Sequence, residues 1–168
     1  DRELLEELAK DIDFPLDKIS DIDRYRNETL TYGSFIRTYN KAFCNNLIKH
    51  GIIERRSPIK HIPKTIKKHL IGDFIRGLWD GDGTITTSHI SISTISKRLI
   101  DDLSKVFNSF NIKYYINESI TSGGYILYRF SISTKNYKDF KEIFYYDGCF
   151  GLKRKINALN REVNKRST

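Results

Sequence analysis

Several residue types that mark particular protein classes are scarce or missing in this chain of 168 residues. Its two cysteines, Cys44 and Cys149, form no CxxC pattern, so zinc and disulfide frameworks lack support and two free thiols in a reducing compartment are expected. No apolar run approaches the ~18 residues of a membrane span. The opening stretch DRELLEEL is too acidic and polar for a signal peptide. We therefore expect an intracellular protein, located in the cytoplasm or nucleoid or in an organellar matrix.

The residues that are present favour a globular protein with a polyanionic partner. Ten Phe and ten Tyr are enough for a substantial core, and the length suits about one ordinary domain. Lys and Arg total 29 against 21 Asp and Glu, which gives a net charge of +8. This excess favours nucleic acid as the partner over a membrane surface.

Apolar spacing and β-branched content divide the chain into helices and strands. Helices are predicted over 2–11, 41–51, 66–80, 96–110, 136–146 and 151–166. Strands are predicted in a hairpin around Gly33 and over 84–96, 113–119 and 125–133, the last two joined by a tight turn at Gly123-Gly124. From residue 66 the predicted order is helix, two strands, helix, two strands and two helices.

The first part of the chain resembles the second. RELLEEL at 2–8 matches KRLIDDL at 97–103 with an offset of 95, and Gly51 falls opposite Gly148 with an offset of 97. This pattern predicts a divergent tandem repeat, although chance likeness of two amphipathic helices is an alternative. We expect an incomplete first repeat over 1–64, with its connector, and a complete second repeat over 65–168. Since methionine is absent, we also expect a trimmed chain whose first repeat has lost a helix upstream.

The stretch GLWDGDGTI at 77–85 places two aspartates among glycines at the end of a predicted helix. Gly77 and Gly81 are four residues apart and share one helix face, where another helix could approach closely. Two such helices would bring their terminal carboxylates together, and a divalent cation would relieve the repulsion. An EF-hand loop does not fit, because Ile85 and Ser91 stand where Gly and Glu are required. A plain tight turn is the other alternative.

The stretch IRGLWDGDG at 75–83, followed by a predicted hairpin, resembles the signature of the LAGLIDADG homing endonucleases. The resemblance implies an α+β fold made of αββαββα repeats, with pseudo-two-fold symmetry and antiparallel, saddle-shaped sheets. It implies that Asp82 and the Gly81 carbonyl bind Mg²⁺ or Mn²⁺, with Ca²⁺ as a non-cleaving substitute, and that Asp80 is structural. Basic residues near the end of each repeat are implied beside the scissile phosphates, namely Lys155 or Lys153 and Arg56 or Arg55.

In this family the sheets follow the major groove of DNA, so polar strand faces become candidate base-reading surfaces. The alternation in HISISTIS and YILYRFSIS puts polar side chains on one face and apolar ones on the other. A merely solvated face is the alternative. The candidate DNA-binding residues are Arg24, Arg26, Arg37, His89, Ser91, Ser93, Lys113, Arg129, Ser131 and Ser133.

The resulting hypothesis is a site-specific, metal-dependent double-strand DNA endonuclease that hydrolyses phosphodiesters and recognises a long target site. As a full-length protein it would act as a monomer, and as the present chain it could pair as a homodimer. The alternative is an inactive DNA- or RNA-binding protein of the same fold, such as an intron maturase or a transcriptional regulator.

Overall fold

The computed structural model describes residues 2–26, 29–52, 57–86 and 88–166. They form two compact units, Asp1–Asn45 and Asn46–Thr168, which are described separately here. The predicted repeat boundary at 64/65 concerns sequence similarity and stays a prediction. Every helix among the described residues is too short or too polar to cross a membrane.

The first unit is a helix followed by a two-stranded hairpin and the start of a second helix. These elements are α1 (Arg2–Asp11), β1 (Ser20–Arg26), β2 (Thr29–Phe35) and α2 (Lys41–Lys49). The strands are antiparallel, with Ser20 opposite Phe35. The predicted hairpin is confirmed, but the predicted turn at Gly33 is wrong, because Gly33 pairs with Ile22 inside the ladder. Glycine favours turns, but a glycine inside a strand keeps its backbone ladder hydrogen bonds, so it need not end the strand.

The described residues of the second unit form the end of α2 and four further α-helices around one four-stranded antiparallel sheet with the order β3-β4-β6-β5. Beyond α2 its elements are α3 (Ile71–Asp82), β3 (Gly83–Ile85), β4 (Ile90–Thr94), α4 (Lys97–Ser109), β5 (Tyr114–Ile120), β6 (Ile126–Ile132), α5 (Tyr137–Phe144) and α6 (Lys153–Arg166). This order confirms the predicted mixed helix and strand succession from residue 66 onward. The predicted start of the first of these helices at Ile66 was too early, since α3 begins at Ile71 after a short 3-10 turn.

Local sequence accounts for these elements. Along β4, Ile90 and Ile92 are buried on one face, as alternation requires. The Ser96 hydroxyl accepts a hydrogen bond from the Leu99 amide at 3.3 Å, which confirms Ser96 as the N-cap of α4. Behind this cap, the apolar face of α4 is buried along its whole length through Leu99, Ile100, Leu103 and Phe107.

An aromatic cluster occupies the core of the second unit. The predicted core position of Trp79 is confirmed, because its side chain is fully buried. Its ring centroid lies 5.6 Å from that of Phe107 and 5.5 Å from that of Phe140, and Phe130 meets it edge-on. Aromatic side chains bury large apolar areas, and such pairs add stability beyond that area. The cluster therefore holds α3, the helix that carries the DGDG stretch, against the sheet.

Left-handed backbone conformations recur along the chain at nearly constant separations. Asp13 and Asn111, the positive-φ residues other than glycine, have φ values of 52° and 56° and follow α1 and α4. Gly51 and Gly148 have φ values of 85° and 82° and follow α2 and α5. The predicted tandem repeat would account for this recurrence, because equivalent helices would end in equivalent backbone turns.

Candidate active site

Helix α3 presents one buried face and one glycine face. Ile75, Arg76, Trp79 and Asp80 are buried. At Gly77 and Gly81, by contrast, an added Cβ atom would meet nothing within 4 Å among the described residues. The glycine face can therefore admit the backbone of another helix, in line with the sequence-based interpretation of this spacing.

The glycine face predicts an unusual response to substitution. We expect Gly77→Ala to stabilise the isolated chain by about 0.5–1 kcal/mol, because alanine is the better helix former and no atom opposes its methyl group. Urea denaturation measures the change. Gly83→Ala is the matched control, since its Cβ would lie 2.6 Å from Trp79 Cδ1 and 2.8 Å from Trp79 Cα, and it should destabilise. A loss of stability in Gly77→Ala would show that this face is already occupied in the free chain.

The first aspartate of the DGDG stretch is part of the interior. Asp80 is 6% exposed, and its Oδ1 atom accepts a hydrogen bond from the Tyr145 hydroxyl at 2.8 Å. Its Oδ2 atom accepts from the Leu152 amide at 3.1 Å. Burial is the main cause that raises the pKa of Tyr145, and the nearby Asp80 carboxylate is the second. The phenol therefore keeps the proton that it donates to Asp80. The structural role that the resemblance implied for Asp80 agrees with this geometry.

The second aspartate points to the outside. Asp82 is the last residue of α3, and residues two apart on a helix are separated by about 200° around its axis. Its side chain is 51% exposed, and Lys60 Nζ lies 2.9 Å from Oδ2. Because α3 continues through both aspartates, neither a tight turn nor an EF-hand loop describes this stretch. Asp82 is therefore the carboxylate of the pair that a ligand can reach.

Lys60 reaches Asp82 because its own backbone is tied to α4. The Ser96 hydroxyl donates to the Lys60 carbonyl at 2.5 Å, and the Ile62 amide donates to Asp102 Oδ2 at 3.2 Å. Sequence reasoning missed Lys60, since its surroundings were interpreted as a basic connector. One signal was present, because Lys60 precedes Lys155 by 95 residues, the offset that relates 2–8 to 97–103.

Lys155 lies on the inner side of the same helix end. It is 4% exposed, and its ammonium group donates to three carbonyls, those of Trp79 at 2.5 Å, Asp80 at 2.9 Å and Gly83 at 2.7 Å. The carbonyls at a helix C-terminus lack intrahelical partners and carry partial negative charge, so a buried cation suits them. Burial, followed by the neighbouring Arg154, lowers the pKa of Lys155. Its predicted contact with a phosphate stays a prediction.

Arg76 fastens the middle of α3 to the segment that precedes α6. Its Nε donates to the Phe150 carbonyl at 2.5 Å, one guanidinium nitrogen donates to the Phe144 carbonyl at 3.2 Å, and the other lies 2.8 Å from Asp73. Together with the Asp80 contacts, these bonds fix α3 against residues 144–155. Lys153, the other basic candidate there, begins α6 and is exposed. Arg55 and Arg56 lie outside the described residues.

The sheet of the second unit has a polar face opposite the core. On β6, Arg129 pairs with Ser93 of β4 on one side and Asn117 of β5 on the other. Ser131 pairs in the same way with Ser91 and Tyr115. Ser93 and Arg129 are exposed, which leaves them accessible to DNA, but Ser91 is 5% exposed and Ser133 is 6% exposed. Base contact by Ser91 and Ser133 therefore does not fit this structure, because neighbouring residues cover their hydroxyl groups.

The remaining candidates for DNA contact occupy strand ends and the hairpin of the first unit. His89 is exposed just before β4 and lies near the hydroxyls of Thr86 and Ser88. Lys113 is exposed just before β5. Arg37 lies two residues beyond β2, and its guanidinium carbon lies 5.2 Å from the centroid of the Phe35 ring. Arg24 and Arg26 are on β1, but their side chains lie outside the described residues. Their contacts with DNA stay predictions.

The donor set at the end of α3 is small. Among the residues that the structure describes, no group of three or more His, Cys, Asp or Glu side chains gathers as a metal site. The Asp82 carboxylate and the carbonyl of Gly81 are hard oxygen donors of the kind that Mg²⁺ and Mn²⁺ accept, and these ions commonly keep waters and take phosphate oxygens as well. A metal site built on this one carboxylate therefore needs further ligands from outside the described residues.

One family model matches the region that contains α3. Residues 70–145 match the family model described as a LAGLIDADG-like domain. Among curated proteins, elongation factor 2 of Methanopyrus kandleri is 35% identical over 60 residues, which are 34% of this chain and 5% of that protein. The chain thus spans a small fraction of this relative's length.

Two solved structures share the fold. Mesophilic variants of the homing endonuclease I-DmoI align with a TM-score of 0.56 and 14% identity, covering 89% of this chain and 73% of that chain. I-DmoI in complex with DNA and Mn aligns with a TM-score of 0.51 and 16% identity, covering 88% and 73%. At these identities the likeness shows the fold, and it confirms the predicted mixed α and β architecture with antiparallel sheets.

Proposed function

We propose that this chain, whose residues 70–145 match a LAGLIDADG-like domain and whose fold is similar to that of the homing endonuclease I-DmoI, is a metal-dependent endonuclease that cuts double-stranded DNA at a specific site. The observation that carries the proposal is the difference between the two aspartates at the end of α3. Asp80 is buried and accepts hydrogen bonds at both carboxylate oxygens, whereas Asp82 ends the helix half-exposed and follows Gly81, where an added Cβ atom would meet nothing within 4 Å among the described residues.

Asp82 and the Gly81 carbonyl would hold the metal ion, and Mg²⁺ or Mn²⁺ suits these oxygen donors. The structure of I-DmoI in complex with DNA and Mn supports the proposal of a divalent ion and a DNA partner for this chain. When bound, such an ion supplies Lewis-acid polarisation of a phosphate oxygen and lowers the pKa of water. The chain's own contribution is to fix Asp82 and to surround it with cations.

Lys60 is the residue that we propose beside the scissile phosphate. Its ammonium group already lies 2.9 Å from Asp82 and is 44% exposed, so it can follow a phosphate that approaches the carboxylate. Lys153, at the exposed start of α6, is a second candidate for a position beside the scissile phosphate. Positive groups at this place would stabilise the charge that develops on a phosphate in the transition state.

A second carboxylate is needed for a two-metal arrangement, and we propose that another motif helix supplies it. The open Gly77 and Gly81 positions give such a helix room to approach α3 closely. The helix could belong to a second copy of this chain or to a further segment of the same polypeptide. Gly77→Ala, which should stabilise the isolated chain, would then lower cleavage by widening this contact.

The match to elongation factor 2 bears on the genetic setting. It covers 60 residues, which are 5% of the length of that elongation factor. We propose on this basis that the nuclease is carried inside the reading frame of a host protein, as inteins are, in preference to a free-standing gene. Reading the flanking DNA tests this, because a host frame that continues on both sides supports it and stop codons on both sides oppose it.

Selection from a pool of random DNA duplexes tests the nuclease proposal. The chain is incubated with the pool and Mg²⁺ or Mn²⁺, and both the bound and the cut duplexes are sequenced. We expect one enriched sequence, cut on both strands, and an affinity that falls steeply with salt because phosphate contacts release counterions. An enriched sequence that is bound but never cut would favour the alternative, an inactive nucleic-acid-binding protein of the same fold.

A further inference from the structure

We propose that Lys155 is a positioning residue of the active site: its buried ammonium group holds the last turn of α3 so that the outer carbonyls and Asp82 face the metal. The proposal rests on the proposed nuclease function. It differs from the role that the resemblance implied, in which a basic residue near the end of the repeat acts directly on a phosphate.

The three donors of Lys155 are already used inside the protein. An ammonium group has three N–H donors and no acceptor. In this structure three carbonyl oxygens lie within 2.5–2.9 Å of Nζ, from Trp79, Asp80 and Gly83. Reaching a phosphate would require Lys155 to leave these bonds and to expose three buried or half-buried acceptors. Because unsatisfied buried carbonyls are costly, the lysine is expected to stay where it is.

Lys155 binds some of the carbonyls at the end of α3 and leaves others unbound. The Gly83 amide already donates to Trp79, and Lys155 adds bonds to Trp79, Asp80 and Gly83. The acceptors of Lys155 therefore do not include Gly81 or Asp82, the two residues proposed to bind the metal. By binding the inner carbonyls, Lys155 fixes the plane of each peptide in the turn and with it the direction of the Gly81 carbonyl.

The neighbouring contacts make this attachment rigid. The Asp80 carboxylate accepts hydrogen bonds from the Tyr145 hydroxyl and from the Leu152 amide. Leu152 directly precedes α6 and lies three residues before Lys155. The Lys155 amide itself donates to the Leu152 carbonyl at 2.9 Å. The start of α6 and the end of α3 are thus joined by bonds in both directions, so Lys155 is held in place by the helix end that it supports.

Lys155→Arg is the discriminating substitution. Arginine keeps the charge, but its planar fork cannot point three donors at three carbonyls that converge on one nitrogen position. If Lys155 acted through charge on a phosphate, arginine would largely replace it. If Lys155 acts by position, we expect Lys155→Arg to lower the single-turnover cleavage rate about 10- to 100-fold and to raise the Mn²⁺ concentration needed, with unchanged DNA affinity.

A second readout is independent of cleavage. Amide hydrogen exchange at Gly81, Asp82 and Gly83, followed by NMR, should be faster in Lys155→Arg than in the parent chain. Lys165→Arg is the control, because Lys165 is an exposed lysine near the other end of the same helix and the change is chemically identical. If Lys155→Arg does not fold, Lys155→Gln takes its place, since its amide group still offers two donors.

The outcomes separate this proposal from the nuclease proposal. Slower cleavage with faster exchange and unchanged DNA affinity supports positioning. Normal cleavage with normal exchange overturns it, as does weaker DNA binding with normal exchange, which would indicate a phosphate contact. If the parent chain never cleaves, the nuclease proposal fails, and the exchange rates alone decide whether Lys155 holds the end of α3.

Discussion

Asp82→Asn is expected to abolish DNA cleavage while leaving DNA binding and folding intact. The amide keeps the size of the carboxylate but loses the charge that a divalent cation requires, and the loss of several kcal/mol of metal assistance corresponds to about a thousandfold slower reaction or more. Stability should change little, because the side chain is half-exposed and its pairing with Lys60 is a surface interaction. Single-turnover cleavage, DNA affinity and urea denaturation measure the three effects.

Asp101→Asn is the matched control for Asp82→Asn. Asp101 is an exposed acid on α4 that pairs with Lys97, so the substitution changes net charge equally without touching the end of α3. Its cleavage rate should equal that of the parent chain. Retained cleavage in Asp82→Asn would remove Asp82 from the metal site, and lost DNA affinity would mean that Asp82 supports binding instead of chemistry.

Asp80→Ala is expected to have the opposite profile, a large loss of stability. The substitution leaves the Tyr145 hydroxyl without its acceptor and the Leu152 amide without its partner in a buried place. Each unsatisfied buried group costs about 1–3 kcal/mol, so the free energy of unfolding should fall by about 2–5 kcal/mol. Urea denaturation of the chain measures it, with the midpoint shift followed by circular dichroism.

Tyr145→Phe shows how much of the stability lost in Asp80→Ala comes from the hydrogen bond between Tyr145 and Asp80. It removes one of the two partners of Asp80 and should cost less than Asp80→Ala. The double variant should be less destabilised than the sum of the single variants, because both remove the same bond. A cost below about 1 kcal/mol for Asp80→Ala would contradict the described network, since at least one buried donor would then have found another partner.

Much of the second unit follows from local sequence patterns. Alternation located β4 and β6, and apolar spacing with the Ser96 cap located α4. In the first unit the hairpin was predicted but its turn was misplaced, because Gly33 was given more weight than the extended pattern on both sides of it. A single glycine costs a strand some stability without ending it, so this signal alone could not place the turn.

The site was predictable in part. The resemblance implied that Asp82 is the available carboxylate and that Asp80 is structural. The helical period alone does not decide this, because Asp82 comes three residues after the buried Trp79 and so lies on a neighbouring part of the same face. The burial of Lys155 could not be predicted, because KRK at 153–155 has the composition of a solvated helix face. Its partners lie 72 to 76 residues earlier in the chain, and only the fold brings them together. The same applies to Lys60, which reaches Asp82 from a segment that carries no pattern of its own.

The most direct test of the proposed endonuclease is the count of double-strand breaks that the chain makes in its selected duplex with Mn²⁺, measured against chain concentration for the parent and for Asp82→Asn. We predict breaks at a single position for the parent, none for the variant, and equal DNA affinity for both. Tight binding by both proteins, without breaks by either at any concentration, would contradict the proposed endonuclease and identify the chain as a DNA-binding protein built on a nuclease fold.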